Sequence, residues 1–381
     1  MRMKRWLGFV LGGALLLAPG AQAAYDRSPV ERSPERIAKR ASVGGVVEAM
    51  TLREKIGQLM MFGVSGQSLS GAEHDLIVRH HLGGVILFSH NYADRTQLEN
   101  LTRQIQAAAR SGNGLKAGAL ISVDQEGGVV KRFPDMPPRY SAPEMGRIGK
   151  ESVAFDQGRA TGRALRAAGV NIDLAPVADL DLPPSHVMQS RSFGDNRYAV
   201  ARLATSFAQG LQRPNVAAAA KHFPGLGGAT QNSDDGPTYV YRSRQELRTI
   251  DAIPFKRVIA GGIKMMMIGH AMYVNDGGRK PASLSRYITT KRLRQGLGFK
   301  GVAISDALEP VAFRFDGDVV KTCKRTVQAG MDVALLTSGP TVAAQCAQRI
   351  YRAVRNGTIS KNRIDQAATR VLKLKAWLEI L

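Results

Sequence analysis

Acid is what this chain is short of. Its 381 residues carry 53 lysines and arginines against 31 aspartates and glutamates, a formal net charge of +22. Such an excess favours anionic partners. Aromatics make up only 6% of the residues. That is a poor supply for stacking bases, and no DNA- or RNA-binding motif is present, so nucleic acid is not the expected partner. Cysteine is nearly absent, with Cys323 and Cys346 the only two. Beyond the first residues, no segment is long and apolar enough to span a membrane. No dinucleotide-type glycine fingerprint follows the first apolar run, and no metal motif such as a HExxH helix occurs, so neither cofactor nor metal is expected.

What is present starts with a leader. "MRMKR" is basic, "WLGFVLGGALLLA" is apolar, and Ala21-Gln22-Ala23 offers a small-residue cleavage site. This is the layout of a secretory signal peptide over residues 1–23. No cysteine follows the site, so no lipoprotein signal is read. The expected mature chain starts near Ala24 and is exported, to the periplasm or the outside. For an exported protein of this charge the anionic partners are cell-wall polymers and membrane surfaces. Export also permits a disulfide. The sequence leaves a Cys323–Cys346 bridge and two buried thiols both open.

Residues 24–47 are rich in Pro and Arg and read as an arm or linker. From Met50 the pattern becomes regular, and Thr51 with Glu54 forms a candidate capping box. Eight short apolar runs then recur: "QLMMFGV", "GGVILFS", "GALISVD", "VNIDLAPVAD", "VAAAAKHF", "KMMMIGHAM", "GVAISDAL" and "DVALLTS". Stretches with helical spacing separate them, such as "DRTQLENLTRQIQAAAR". Apolar strands alternating with helices predict a parallel sheet covered on both faces. Eight units predict an α/β fold, a single-domain (β/α)8 TIM-type barrel over residues 48–381, with an open doubly wound sheet as the alternative.

Six of the eight runs end in polar residues. These are Ser89-His90-Asn91, Asp124, Asp179, Lys221-His222, His270 and Asp306. In a barrel such strand ends share one mouth, where barrel active sites lie. Asp306, between a strand and a helix, is the candidate nucleophile, with Ser305 available to cap the helix in its place. The loop "KHFPGLGGATQNSDDGP" adds Asp234 and Asp235 as candidate second carboxyls, on glycines that give it freedom. Glycoside hydrolysis needs two carboxyl groups around the scissile bond. Arg132, Arg191, Lys221 and His222 supply donors for a hydroxyl-rich or anionic ligand. A zinc site of His222, His270 and Asp306 matches no known metal spacing.

The motifs "VDQEGGVVKRF", "QSRSFGDN", "AAKHFPGLG" and "PASLSRYITTKRLRQGLGFKGVAISDAL" resemble glycoside hydrolase family 3, in its single-domain β-N-acetylglucosaminidase branch, over about Met50 to Leu381. The resemblance implies a barrel that removes terminal β-linked N-acetylglucosamine with retention. It implies Asp306 as nucleophile, and Asp124, Arg132, Arg191, Lys221 and His222 as residues that hold the sugar. His270 joins them as a substrate-binding candidate.

Four positions depart from the branch. Leu226 stands where His is usual, Val129 where Arg is usual, and Ala307 where a second Asp is usual. The Asp-Ser-His of the loop becomes Asn232-Ser233-Asp234. A histidine acid needs a carboxylate to support its charge; an aspartic acid beside a neutral amide does not. The two loop changes are therefore mutually consistent and make Asp234 the candidate acid/base. The expected function is hydrolysis of terminal N-acetylglucosamine from peptidoglycan fragments or chitin-type oligosaccharides. The alternatives are a β-glucosidase or β-xylosidase of the same fold, and a non-catalytic cell-wall glycan-binding protein.

Overall fold

Alternation sets the architecture. The structure, a computed structural model, describes residues 43–112, 116–233, 235–278 and 280–381. Eight strands follow in chain order: β1 (Met60–Gly63), β2 (Gly84–Leu87), β3 (Leu120–Val123), β4 (Ile172–Asp173), β5 (Ala217–Phe223), β6 (Met265–Ile268), β7 (Val302–Ser305) and β8 (Ala334–Leu335). All eight lie within the apolar runs read from the sequence. They form one parallel sheet in the order β7-β6-β5-β4-β3-β2-β1-β8. A bridge between Ile304 and Val333 joins its two ends, so the sheet closes into a (β/α)8 barrel.

Side chains two apart on a strand share a face. Leu120, Ala217, Ala219, Met265, Met267, Val302 and Ile304 fill the barrel interior. Val123, Ala218, Ala220, Met266, Ile268 and Ala303 face the surrounding helices instead. The same parity, carried past the strand ends, sends Asp124, Lys221 and Asp306 to the inside of the mouth.

The other end of the barrel is stopped by the last helix, Lys361–Trp377. Its Val371 and Leu374, with Leu378 and Ile380 just beyond, join the interior cluster. Asp332, fully buried, fastens the first half of this helix. Its carboxylate accepts from Arg363 and Arg370, each at 3.0 Å, from Arg294, and from the Ala303 amide at 3.0 Å. Farther along, Lys375 lies buried with its amine 2.5 Å from Gln58 Oε1.

Burial pushes the Lys375 pKa down to about 7, and the Arg110 charge adds to the effect. Between about pH 7 and the ordinary value of 10.5, the unfolded chain binds a proton that the folded one does not. Stability therefore rises with pH across that window, and the penalty is fully present below it. Lys375→Met is expected to stabilise the fold at pH 6 to 7 by on the order of 2 kcal/mol after allowing for the lost bond to Gln58. The gain should shrink toward pH 10. Denaturant unfolding of both proteins at pH 6, 8 and 10 checks it; a gain independent of pH contradicts the account.

At the chain's entry, Thr51 and Glu54 make the expected capping box. Residues 43–49 are already helical. Val43 and Val47 are buried in the core, so its packing reaches back ahead of the boundary read at residue 48. The leader over 1–23 and most of the arm lie outside the described residues. Cys323 and Cys346 are joined in a disulfide with their Cα atoms 5.8 Å apart, tying the helices Val319–Ala329 and Pro340–Arg355 that flank β8. No helix among the described residues is long and apolar enough to cross a membrane.

Candidate active site

The mouth is built on a buried lysine. Lys221 extends β5 inward, is 1% exposed, and has its amine 2.5 Å from Asp124 and 2.6 Å from Glu126. Glu126 also takes a two-pronged contact from Arg191, with Nε at 2.9 Å and Nη2 at 2.6 Å. Burial alone would raise the pKa of Glu126. The charges of Lys221 and Arg191 outweigh it and bring the carboxyl to about 2. Burial likewise pulls Lys221 down, and Asp124 and Glu126 overcome it, so the lysine stays charged. Under this cage lies Asp173, fully buried, with Oδ1 accepting from the Gln125 amide at 3.0 Å. Burial, reinforced by the charges of Asp124 and Glu126, raises its pKa well above the usual value.

Asp306 stands at the end of β7. Burial pushes its pKa up, but the charges of His270 and His222, a bond from the Ala307 amide, and Lys221 together bring it below the ordinary 3.8. It does not cap the helix that follows. That helix, Leu308–Phe315, has Ala307 at its N-cap and no side-chain cap. Ser305, read from the sequence as an available cap, instead accepts through its hydroxyl from the Leu335 amide at 3.0 Å. The Asp306 carboxylate is thus ionised and not consumed by a structural task.

The two histidines beside it are held in place. His222 donates from Nδ1 to Asp179 at 2.7 Å, and Asp179 also accepts from the amides of His222 and Leu226. His270 donates from Nε2 to the Ala307 carbonyl at 2.6 Å, and its Nδ1 meets the Ser283 hydroxyl at 2.7 Å. Both nitrogens of His270 are engaged, which leaves it no lone pair for a metal.

The structure therefore gathers Asp124, Arg191, Lys221, His222, His270 and Asp306 at one mouth. Arg132 comes directly after the hairpin that follows β3, its guanidinium 5.9 Å from the Phe88 ring centre and its buried Nε without a hydrogen bond. Asn91 does something else: it accepts from the Phe88 amide and donates to the carbonyls of Val64 and Gly66, stitching the β1 and β2 loops. Asp234 lies outside the described residues. Its neighbours do not: the Ser233 carbonyl accepts from Arg314 at 2.6 Å, and Asp235 is exposed. Arg314 belongs to the helix after Asp306, so this contact ties the loop to the element next to the candidate nucleophile.

The loop glycines are needed for close packing more than for freedom. Gly225 holds φ at +126°, with Asp251 packed where a side chain would start. A Cβ on Gly227 would run into the Leu180 carbonyl. The unusual Leu226 is buried in the core, and Val129 is 70% exposed at a hairpin tip, so neither leaves a hole in the cage. Glu126 is the member of the site that the sequence reading missed. Its signal was there, two residues after Asp124 in "VDQEGG", but only the fold shows one carboxylate serving two distant cations.

Residues 51–374 match the model of the Glycosyl hydrolase family 3 N terminal domain. The chain belongs to glycoside hydrolase family 3. It is 32% identical to an uncharacterized secreted glycosyl hydrolase of Arthroderma benhamiae, over 90% of this chain and 98% of that one. It is 35% identical to a beta-hexosaminidase of Thiobacillus denitrificans, over 74% of this chain and 79% of that one. A family 3 β-N-acetylglucosaminidase from Paenibacillus sp. str. FPU-7 superposes with a TM-score of 0.83 at 33% identity, covering 87% of this chain; this chain spans 63% of that longer one. The chain is thus a family 3 glycoside hydrolase, and its barrel corresponds to the family's N-terminal domain.

Within this family 3 site, Glu126→Gln removes the charge that holds Lys221 and Arg191 together. The expected result is a loss of about 10²-fold in kcat/KM from misplaced cations, with a fall in stability of about 3 kcal/mol for breaking a buried ion pair. Steady-state kinetics and denaturant unfolding check both, and unchanged values in both contradict the role.

Proposed function

We propose that this chain is an exported, retaining exo-β-N-acetylglucosaminidase. It releases terminal β-linked N-acetylglucosamine from peptidoglycan fragments or chitin-type oligosaccharides through a covalent sugar–Asp306 intermediate. The observation that carries this reading is the state of Asp306: ionised, at a strand end facing the mouth, beside His270, His222 and Lys221, and free of any capping duty. A carboxylate held so is a nucleophile for an anomeric carbon. The identity of the sugar is supported by the beta-hexosaminidase and β-N-acetylglucosaminidase relatives. Export is supported by the N-terminal leader and by a secreted relative.

In the proposed cycle Asp306 attacks the anomeric carbon while Asp234 protonates the departing glycosidic oxygen. Asp234 then takes a proton from water, which displaces Asp306 from the same face as the departed group, so the β configuration is retained. Asp124, Lys221, His222, Arg191 and Arg132 hold the sugar hydroxyls, and His270 orients the Asp306 region through the Ala307 carbonyl. An anionic acid/base repels phosphate, which makes water the acceptor.

The test is a panel of nitrophenyl β-glycosides. The 2-acetamido sugar should be turned over at least about 10²-fold better, as kcat/KM, than the 2-hydroxy glucoside or xyloside, since a site that bonds the acetamide leaves groups unpaired without it. Equal rates would move the reading to a β-glucosidase or β-xylosidase. Binding of N-acetylglucosamine with no turnover of any glycoside would make the protein a glycan-binding one.

A further inference from the structure

The two ends of the barrel differ in charge. At the mouth, acids and bases interleave: Asp124 and Glu126 meet Lys221 and Arg191, and Arg314 lies on the helix that follows Asp306. At the opposite end, the loops leading into the strands carry Lys116, Arg213, Lys264 and Lys300, joined by Arg355 and Lys373. All but the half-buried Lys264 are exposed. Three acids near this end are matched. Glu379 lies 3.7 Å from Arg166, Asp365 lies 2.7 Å from Lys55, and Asp332 is buried among three arginines. The exposed cations named at this end therefore outnumber its exposed acids, Glu379 and Asp365.

Helix dipoles favour cations at helix C-termini, and those termini lie at this end of a barrel. That accounts for Arg355, in a last helical turn. It does not account for Lys264 and Lys300, which sit just ahead of β6 and β7 with glycines between them and the preceding helices. Lys116, Arg213, Lys264 and Lys300 lead into β3, β5, β6 and β7, and Lys373 lies on the closing helix. Beside them Trp377 is half-buried with the Lys264 amine 4.8 Å over its ring, and Leu381 is 40% exposed. Basic side chains next to an indole and a leucine suit the headgroup boundary of a bilayer.

We propose that this end of the barrel docks on a membrane surface bearing anionic lipids, so that the active-site mouth faces away from the bilayer and stays open to soluble glycans. The docking uses no residue of the catalytic site and does not depend on which sugar is cleaved. Each basic residue near an anionic surface contributes about five-fold in partitioning, and the interaction weakens as salt screens it.

The experiment is co-sedimentation of the protein, in the form its host exports, with vesicles of phosphatidylcholine alone or with 30 mol% phosphatidylglycerol. Binding to the anionic vesicles is expected, with at least ~10-fold loss between 50 and 500 mM salt and little binding to neutral vesicles. The triple variant Lys116→Glu/Lys300→Glu/Arg355→Glu should lose about 100-fold or more in partitioning while keeping the wild-type kcat/KM on a soluble glycoside. Should the triple variant fail to fold, Lys300→Glu alone should lose about five-fold or more. The mouth-side pair Arg139→Glu/Arg286→Glu should bind like wild type. Equal binding to neutral vesicles, undiminished binding of the Lys300 variant, loss in the mouth-side pair, or binding to a soluble phosphodiester polymer without binding to vesicles would each overturn the proposal.

Discussion

Asp306→Asn is expected to fold normally and to lose turnover of every β-glycoside by about 10⁴-fold or more. The amide keeps the size of the side chain and an oxygen for the Ala307 amide, which bonds Asp306 at 2.8 Å. It removes only the negative charge that attacks the anomeric carbon. A second readout comes from pH. The depressed pKa keeps Asp306 ionised to lower pH than an ordinary aspartate, so the acid limb of kcat/KM in the wild type should lie below pH 3.8. Binding of N-acetylglucosamine should survive the substitution, because the cage of Lys221, Asp124, Glu126 and Arg191 is untouched. A folded Asp306→Asn protein with near-normal turnover would remove the nucleophile assignment.

Asp234→Ala should show an effect that depends on the leaving group. A sugar or alkyl aglycone needs its oxygen protonated as the bond breaks, and loss of the acid should cost about 10²- to 10⁴-fold. A dinitrophenyl aglycone leaves without help and should be released at close to the wild-type rate in the first step. Deglycosylation then stalls for want of a base. Azide needs no base, so it should restore turnover and yield a β-glycosyl azide. The rival is Asp235, exposed and one residue on. If Asp235→Ala shows the leaving-group dependence and the azide rescue, and Asp234→Ala shows neither, the acid is Asp235.

The barrel was legible because each strand is a short apolar run buried on both faces, a pattern no amphipathic element imitates. The inward parity of Asp124, Lys221 and Asp306 follows from the same runs once their ends are fixed. Other parts were not legible, for physical reasons. Glu126 lies on a hairpin with no periodicity to mark its direction, and its meaning comes from Lys221 and Arg191, far off in the chain. Ser305 looks like a cap in sequence, but its hydroxyl accepts from the Leu335 amide on the neighbouring strand. The loop glycines looked like hinges; the carbonyl of Leu180 and the side chain of Asp251 show that they are there for lack of room. Lys375 reads as one more surface lysine on an amphipathic helix until that helix is seen to stop the barrel. The disulfide follows from the adjacency of two helices in space, which spacing alone left open beside a pair of buried thiols.

The central claim is that Asp306 carries the sugar between the two steps. The direct measurement is mass spectrometry of peptides from the protein after incubation with a ring-fluorinated N-acetylglucosaminyl fluoride, whose good leaving group and slowed second step let a covalent intermediate accumulate. The account predicts one sugar added per chain, on the peptide containing Asp306 and on that side chain. An adduct on another residue, or steady turnover with inverted product and no adduct at all, would contradict it.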